Sequence, residues 1–351
     1  MQGNECCANC FGDPGLSKNV IPMILSRRGE QRPKTCDYCG TADTQTFPPS
    51  HLREWFELVL DLYVRDPGGK PLASLLAEDW KIFDHPKMDP AHVKELLGDI
   101  LDDGQIVRQS FTSDSTPVNE TPQRWEDLRS EMMHRNRWFL DQPIDLERLR
   151  ELLGQLVIHE DDFASITTTW HRARLLENDT PYSVSEMGAP PAHLAGHGRA
   201  NPAGIQYLYL GSTKKTAVSE VRPHTGEKAC IAEFRVQPIR ALDLRDPRKS
   251  VSPFILENRE QIASLRAGLP LLERLGEELT KPVQPRSAAY EYIPSQYLCE
   301  FIKKQGYQGV LYRSSVSDGV NLALFEPALA SPGDVQVTLV DRVTVELNDL
   351  F

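Results

Sequence analysis

No apolar run of about eighteen residues occurs in the chain, so nothing in it reads as a membrane-spanning helix. The opening residues, MQGNECCANC, lack the basic and apolar regions of an export signal, which predicts residence in the cytoplasm. Positive charge is in short supply. Lys and Arg number 39 against 50 Asp and Glu, a net charge of -11. That balance excludes nucleic-acid binding by bulk electrostatics and leaves only a local basic patch open. The sequence contains no P-loop, no G-x-S-x-G, no H-E-x-x-H and no G-x-G-x-x-G. A dinucleotide bound here is therefore not bound in the Rossmann manner.

Cysteine is scarce over most of the chain and dense at its start. Of seven cysteines, Cys6, Cys7, Cys10, Cys36 and Cys39 fall in the first forty residues, while Cys230 and Cys299 stand alone. Clustered cysteines in a cytosolic chain point to metal rather than disulfides. Cys7-Ala-Asn-Cys10 and Cys36-Asp-Tyr-Cys39 are two C-x2-C knuckles, each presenting two thiolates to one ion. The four ligands predict a closed tetrahedral zinc site. Such a site leaves no open position for catalysis and folds a segment too small for its own core. Cys6 is either a bystander or an alternative to Cys7.

Periodicity divides the rest. The tracts SHLREWFELVLDLYVRD, PLASLLAEDW, DPAHVKELLGDILDD, RWEDLRSEMMHRNRWF and IDLERLRELLGQLVI repeat apolar residues at helical spacing. Residues 109–123, rich in Ser, Thr and Pro, read as a loop. Beyond residue 160, short runs rich in β-branched and aromatic residues take over: TTTWHRARLL, GIQYLYLGS, KACIAEFRV, GVLYRSS and NLALFEP. Two helical patterns interrupt them. Val335, Val337 and Leu339, then Val343, Val345 and Leu347, alternate as a half-buried strand pair would. The expected organisation is a Cys-rich zinc module over 1–48, a helical domain over 49–160, and an α+β domain over 161–351.

Several signals invite a cheaper explanation. His224-Thr-Gly-Glu-Lys228 looks like a zinc-finger linker, but no finger flanks it, so it reads as a turn. Arg129-Ser-Glu-Met-Met-His134 fits the R-x4-H pattern of helical ribonucleases of the HEPN class, a pattern short enough to arise by chance on a solvated helix face. A more specific constellation lies further on. Arg172 follows Trp170 in a strand-like run. Arg199 sits in a turn-forming tract between Gly198 and Gly204. Tyr209 lies in Tyr207-Leu-Tyr209-Leu, Glu220 in the helical Thr216-Ala-Val-Ser-Glu-Val221, and Ser314 after Tyr312. Ser314 and Ser315 are adjacent, and Ser314 is preferred because it follows the Tyr-Arg step. His193 and His197 near the arginine turn read as loop residues.

The tracts WHRAR, PYSVSEMGAPPAHLAGHGRANPAGIQYLYL, TAVSEVRP, the Asp243-Leu244 pair and GYQGVLYRSS followed by NLALFEP together resemble the RES family, named for its Arg, Glu and Ser. CCANCF, CDYCG and HRNRWF resemble the extension carried by one subgroup. The resemblance implies an ADP-ribosyltransferase-like fold and an enzyme that breaks down NAD as a substrate, by hydrolysis or by phosphorolysis with inorganic phosphate. Many members are toxins paired with an antitoxin. The greater length of this chain sets it apart from the small two-gene systems. An antitoxin, another copy of the chain or a nucleic acid remain open as partners of the N-terminal regions. In the site so implied, Glu220 faces the labile ribose, Arg172 and Arg199 grip phosphate oxygens, Tyr209 packs on the nicotinamide end, and Ser314 orients the ligand or the nucleophile.

Overall fold

The computed structural model describes residues 3–29, 32–83, 86, 88–114, 121–178, 180–284 and 286–344. The chain folds as two compact units: residues 1–121 with 246–271, and residues 122–245 with 272–351.

In the first unit, strands β1 (Cys6–Cys7) and β2 (Thr46–Phe47) pair antiparallel around the cysteine-rich segment. A helix over Arg53–Leu60 follows. It is shorter than the apolar spacing predicts, because the chain turns into β3 (Tyr63–Pro71), whose Asp66-Pro67-Gly68-Gly69 segment bulges against β4 (Ser110–Ser113). A side chain at Gly69 would collide with the Phe111 carbonyl, so only glycine permits that approach. The expected loop over 109–123 thus begins with a strand, while residues 115–120 lie outside the described residues. Helices over Leu72–Trp80 and Pro90–Leu101 form where the pattern predicts them. The Asp89 carboxylate caps the second by accepting from the Ala91 and His92 amides.

The second unit holds helices over Pro122–His134 and Leu146–Gly154 and an eight-stranded mixed sheet. Its strands are β5 (Val157–Ile158), β6 (Trp170–Leu175), β7 (Leu208–Gly211), β8 (Lys228–Val236), β9 (Ala241–Asp243), β10 (Gly309–Arg313), β11 (Val320–Leu324) and β12 (Ala330–Leu339). Their spatial order is β12-β8-β6-β7-β11-β10-β9-β5, and among the described residues only the β9–β10 pair is parallel. One face buries Phe163, Trp170, Leu208, Leu210, Phe234, Leu311, Leu322 and Leu324 in a single apolar core. A smaller cluster of Ala173, Ala217 and Ile231 seats the helix Lys214–Glu220 against the sheet. Val335, Val337 and Leu339 fall in the one long strand β12, paired with β8; Val343 is exposed beyond it, and Val345 and Leu347 lie outside the described residues. The α+β class is the one expected. Among the described residues, no helix is long and apolar enough to cross a membrane.

Candidate active site and candidate metal centre

The strands β6 and β7 pair at His171 and Gly211 alone, whereas β6 pairs with β8 from Trp170 to Leu175. Where β6 and β7 part, a cavity of about 320 Å³ opens. Arg172, Arg199, Tyr209 and Glu220 all line it, together with Arg222, Tyr292, Tyr312 and Asn321.

Glu220 is the last residue of its helix, whose Thr213 cap accepts from the Thr216 amide at 3.0 Å. Two close approaches bring that helix onto the sheet. A Cβ at Gly211 would lie 2.8 Å from the Ala217 amide, and one at Gly319 would strike Thr216. The Glu220 carboxylate then meets two donors from the β10–β11 hairpin. Ser314 Oγ donates to Oε1 at 2.7 Å and Asn321 Nδ2 donates to the same oxygen at 2.6 Å. Both bonds go to one oxygen, and Oε2 receives none from the described residues. Ser314 is therefore the serine beside the carboxylate, while Ser315 lines a separate recess.

The Arg199 turn is held from beneath. Tyr209 Oη accepts from the Ala200 and Asn201 amides at 2.9 and 3.2 Å and donates to Asn201 Oδ1 at 2.7 Å. Gly198 sits so close that a Cβ there would lie 2.5 Å from the Tyr209 hydroxyl. Helix Ile293–Lys304 adds Gln296 Nε2, which donates to the Gly198 and Asn201 carbonyls at 2.9 and 3.0 Å. Arg199 itself donates from Nη1 to the Lys281 carbonyl at 2.6 Å, and its guanidinium lies 5.5 Å from the centre of the Tyr292 ring. The hydroxyl of Tyr209 is thus committed to the turn, and only its ring is offered to the cavity.

Among the described residues, Arg172 has no such partners. Its Nη1 is buried without a hydrogen bond. Burial, then repulsion from Arg174, pushes the guanidinium down to about 10, which leaves it charged at neutral pH. A buried donor left unmade costs about 1–3 kcal/mol, so its retention calls for an anion. Tyr312, fully buried opposite Asn321 in the register, has its phenol held well above the usual range by desolvation and by the nearby Tyr209 and Glu220. Tyr292, Tyr312, Asn321 and Arg222 are not singled out by the sequence. The one hint is a lone asparagine inside the apolar run Val320–Leu324. His197 reaches the cavity rim, and His193 is exposed in a short turn away from it.

Arg129 and His134 are not brought together as a pair. Arg129 Nε donates to Glu278 at 3.2 Å, in a buried cluster that also contains Trp125 and Arg274. His134 is exposed at the helix end, its ring 5.7 Å from that of Tyr290.

In the other unit, the sulfurs of Cys7, Cys10, Cys36 and Cys39 lie within 4.8 Å of one another, and all four residues are buried. The Cys7–Cys39 and Cys10–Cys36 separations are 3.5 and 3.4 Å. Tetrahedral Zn–S bonds of about 2.3 Å require sulfurs roughly 3.8 Å apart, so the cluster is of the size that could hold a metal ion. Cys6 is outside it: its Sγ points to the Phe47 carbonyl at 3.5 Å.

An α+β unit with a carboxylate and several guanidiniums converging on a cleft in its sheet is the class that these observations define. Residues 169–343 match the family model described as the RES domain, and the chain carries a RES domain there. A chain of the M. tuberculosis MbcT–MbcA toxin–antitoxin complex aligns over 56% of this chain and 93% of its own length, at 12% identity and a TM-score of 0.34. No match was found among curated proteins.

Proposed function

We propose that the protein consumes NAD, cleaving the bond between nicotinamide and ribose, and that it does so as a toxic or defensive effector. The RES domain supports NAD as the target. The observation that carries the reading is the convergence of the tethered Glu220 carboxylate and the unpartnered Arg172 guanidinium on one cavity.

The bond to be broken leaves its electron pair on the pyridine nitrogen, so the departing nicotinamide is neutral and needs no general acid. Positive charge develops on the ribose, as in glycoside cleavage. A carboxylate fixed by two donors cannot swing away, and its remaining oxygen serves that charge and the ribose hydroxyls. Arg172 and Arg199 supply paired donors for the pyrophosphate. The nucleophile then forms the new bond at the anomeric carbon. With water, the products are ADP-ribose, nicotinamide and a proton. With inorganic phosphate, they are nicotinamide and an ADP-ribose 1-phosphate. In the same reading, the four cysteines hold a structural zinc ion that folds their segment and takes no part in the reaction.

The test is to incubate the purified full chain with NAD, with and without phosphate, and to follow nicotinamide and the ribosyl product. Nicotinamide release that Glu220→Gln reduces by about 10² to 10³ is expected. Labelled ribose appearing on protein instead would move the reading to ADP-ribosyl transfer, and no nicotinamide from the folded wild type would end it.

A further inference from the structure

A cavity of about 320 Å³ sits at the bottom of the range of about 300–1,000 Å³ typical of small-molecule sites. It suits half of a dinucleotide better than the whole. Resting on the NAD reading above, we infer that the adenosine half lies in a second recess of the same unit, completed by a helix outside the RES domain.

This recess measures about 620 Å³ and is lined by Glu126, Arg274, Glu277, Thr280, Lys281 and Ser315, among others. Glu126 belongs to the helix Pro122–His134, which precedes residues 169–343. Three links join the recess to the cavity. Arg199 donates to the Lys281 carbonyl at 2.6 Å. Arg222, two residues after Glu220, donates to the Val283 carbonyl at 3.4 Å. Ser315 directly follows the serine that holds Glu220. Lys281 and Pro282 line the recess, and two arginines of the cavity are bonded to carbonyls of the segment 281–283. A pyrophosphate passing over that segment would lie between guanidiniums while the two nucleosides settle on either side.

The lining has the right chemistry for a nucleoside. Glu126 and Glu277 balance Arg274 and Lys281, so the recess suits a neutral group rather than a second anion. Glu126 is already bonded to Arg274. Glu277 is exposed, and its carboxylate makes no side-chain hydrogen bond or ion pair among the described residues. A free carboxylate beside a ribose diol is a recurrent device of dinucleotide sites. Arg274, whose Nε and Nη2 hold Glu126 and Glu278, keeps Glu126 in place on the recess wall.

The test compares NAD with nicotinamide mononucleotide, which lacks the adenosine half, using the full chain. Wild type is expected to favour NAD in kcat/KM. Thr280→Trp, which fills the recess, and Glu277→Ala, an exposed substitution that leaves the buried cluster intact, should each lower the NAD-to-mononucleotide ratio tenfold or more. The change should appear in KM for NAD rather than in kcat, as loss of uniform binding does. A wild type with no preference for NAD, or a ratio unmoved by Thr280→Trp, overturns the recess. A ratio unmoved by Glu277→Ala alone overturns the role of that carboxylate. Failure of the underlying reading looks different: wild type would then release nicotinamide from neither compound.

Discussion

Asn321 Nδ2 and Glu220 Oε1 meet at 2.6 Å across a gap of 101 residues in sequence. The amide is neutral and donates, so it orients the carboxylate without adding a charge beside it. Replacing it by a carboxyl group inverts that relationship. In Asn321→Asp, two carboxylates would share one proton, and the pair would hold it to higher pH. The acid limb of the nicotinamide-release profile is expected to move upward by about one to two pH units, so the loss of kcat should be greatest on the acid side and small at neutral pH. Ser314→Ala should lower kcat and move the limb less than Asn321→Asp does, because it removes one donor without adding a charge. A pH–rate profile for both variants decides the matter, and an unmoved limb in Asn321→Asp would show that the amide is not what holds Glu220.

Arg172 invites a test that separates function from stability. Its buried Nη1 has no partner in the fold, and the residue lines the cavity. Met matches the aliphatic stem of the side chain and brings no charge. Arg172→Met should therefore raise the melting temperature, recovering part of the roughly 1–3 kcal/mol that an unmade buried donor costs, while KM for NAD rises tenfold or more. Thermal unfolding and steady-state kinetics on the same preparation check both halves. A variant that melts lower than wild type would mean that the guanidinium stabilises the fold rather than waiting for a ligand.

Much of this site is legible in the chain without its shape, and the division is physical. Arg172, Arg199, Tyr209, Glu220 and Ser314 are marked by the resemblance to the RES family, since each alone reads as an ordinary ion pair, core aromatic, solvated helix residue or strand cap. Asn321 and Tyr312 stay hidden because their proximity depends on the register that pairs Tyr312 with Asn321, which no local pattern states. The same holds for Tyr209: its phenol can be expected in the cleft, but not that two backbone amides already occupy it. Helical periodicity identifies the stretch containing Pro122–His134 as helix, yet carries no sign that Glu126 faces Arg274. The bulge in β3 after the helix over residues 53–60 depends on Gly69, whose meaning appears only once Phe111 lies against it.

The cysteine cluster yields a sharper contrast than removal of metal alone. Cys10 stands within the four-sulfur group and Cys6 outside it, although both are fully buried. Purified protein is expected to carry one zinc per chain by elemental analysis. Cys10→Ser should lose that zinc and unfold its segment, because three thiolates cannot close the tetrahedron. Cys6→Ser should keep the metal and lose only a small amount of stability. Equal zinc loss in the two variants would return Cys6 to the ligand set.

Asp13 gives the stability a pH dependence of known sign. Its side chain is 1% exposed, Oδ1 accepts from the Leu16 amide at 2.8 Å and from Ser252 Oγ at 2.7 Å, and Oδ2 has no partner. Burial outweighs those two bonds and raises the carboxyl from 3.8 to about 6. Between those values the folded chain holds a proton that the unfolded chain has released. Stability from this group is therefore present at low pH and declines as pH rises towards 6, by about 3 kcal/mol at about 1.4 kcal/mol per pH unit. Asp13→Asn retains an acceptor for Leu16 and Ser252 but cannot titrate. Unfolding followed in urea from pH 4 to pH 7 should show a decline in wild type that flattens in the variant. Parallel curves would mean that Asp13 has the same proton affinity in both states, and that the buried carboxylate is balanced by contacts stronger than the two described.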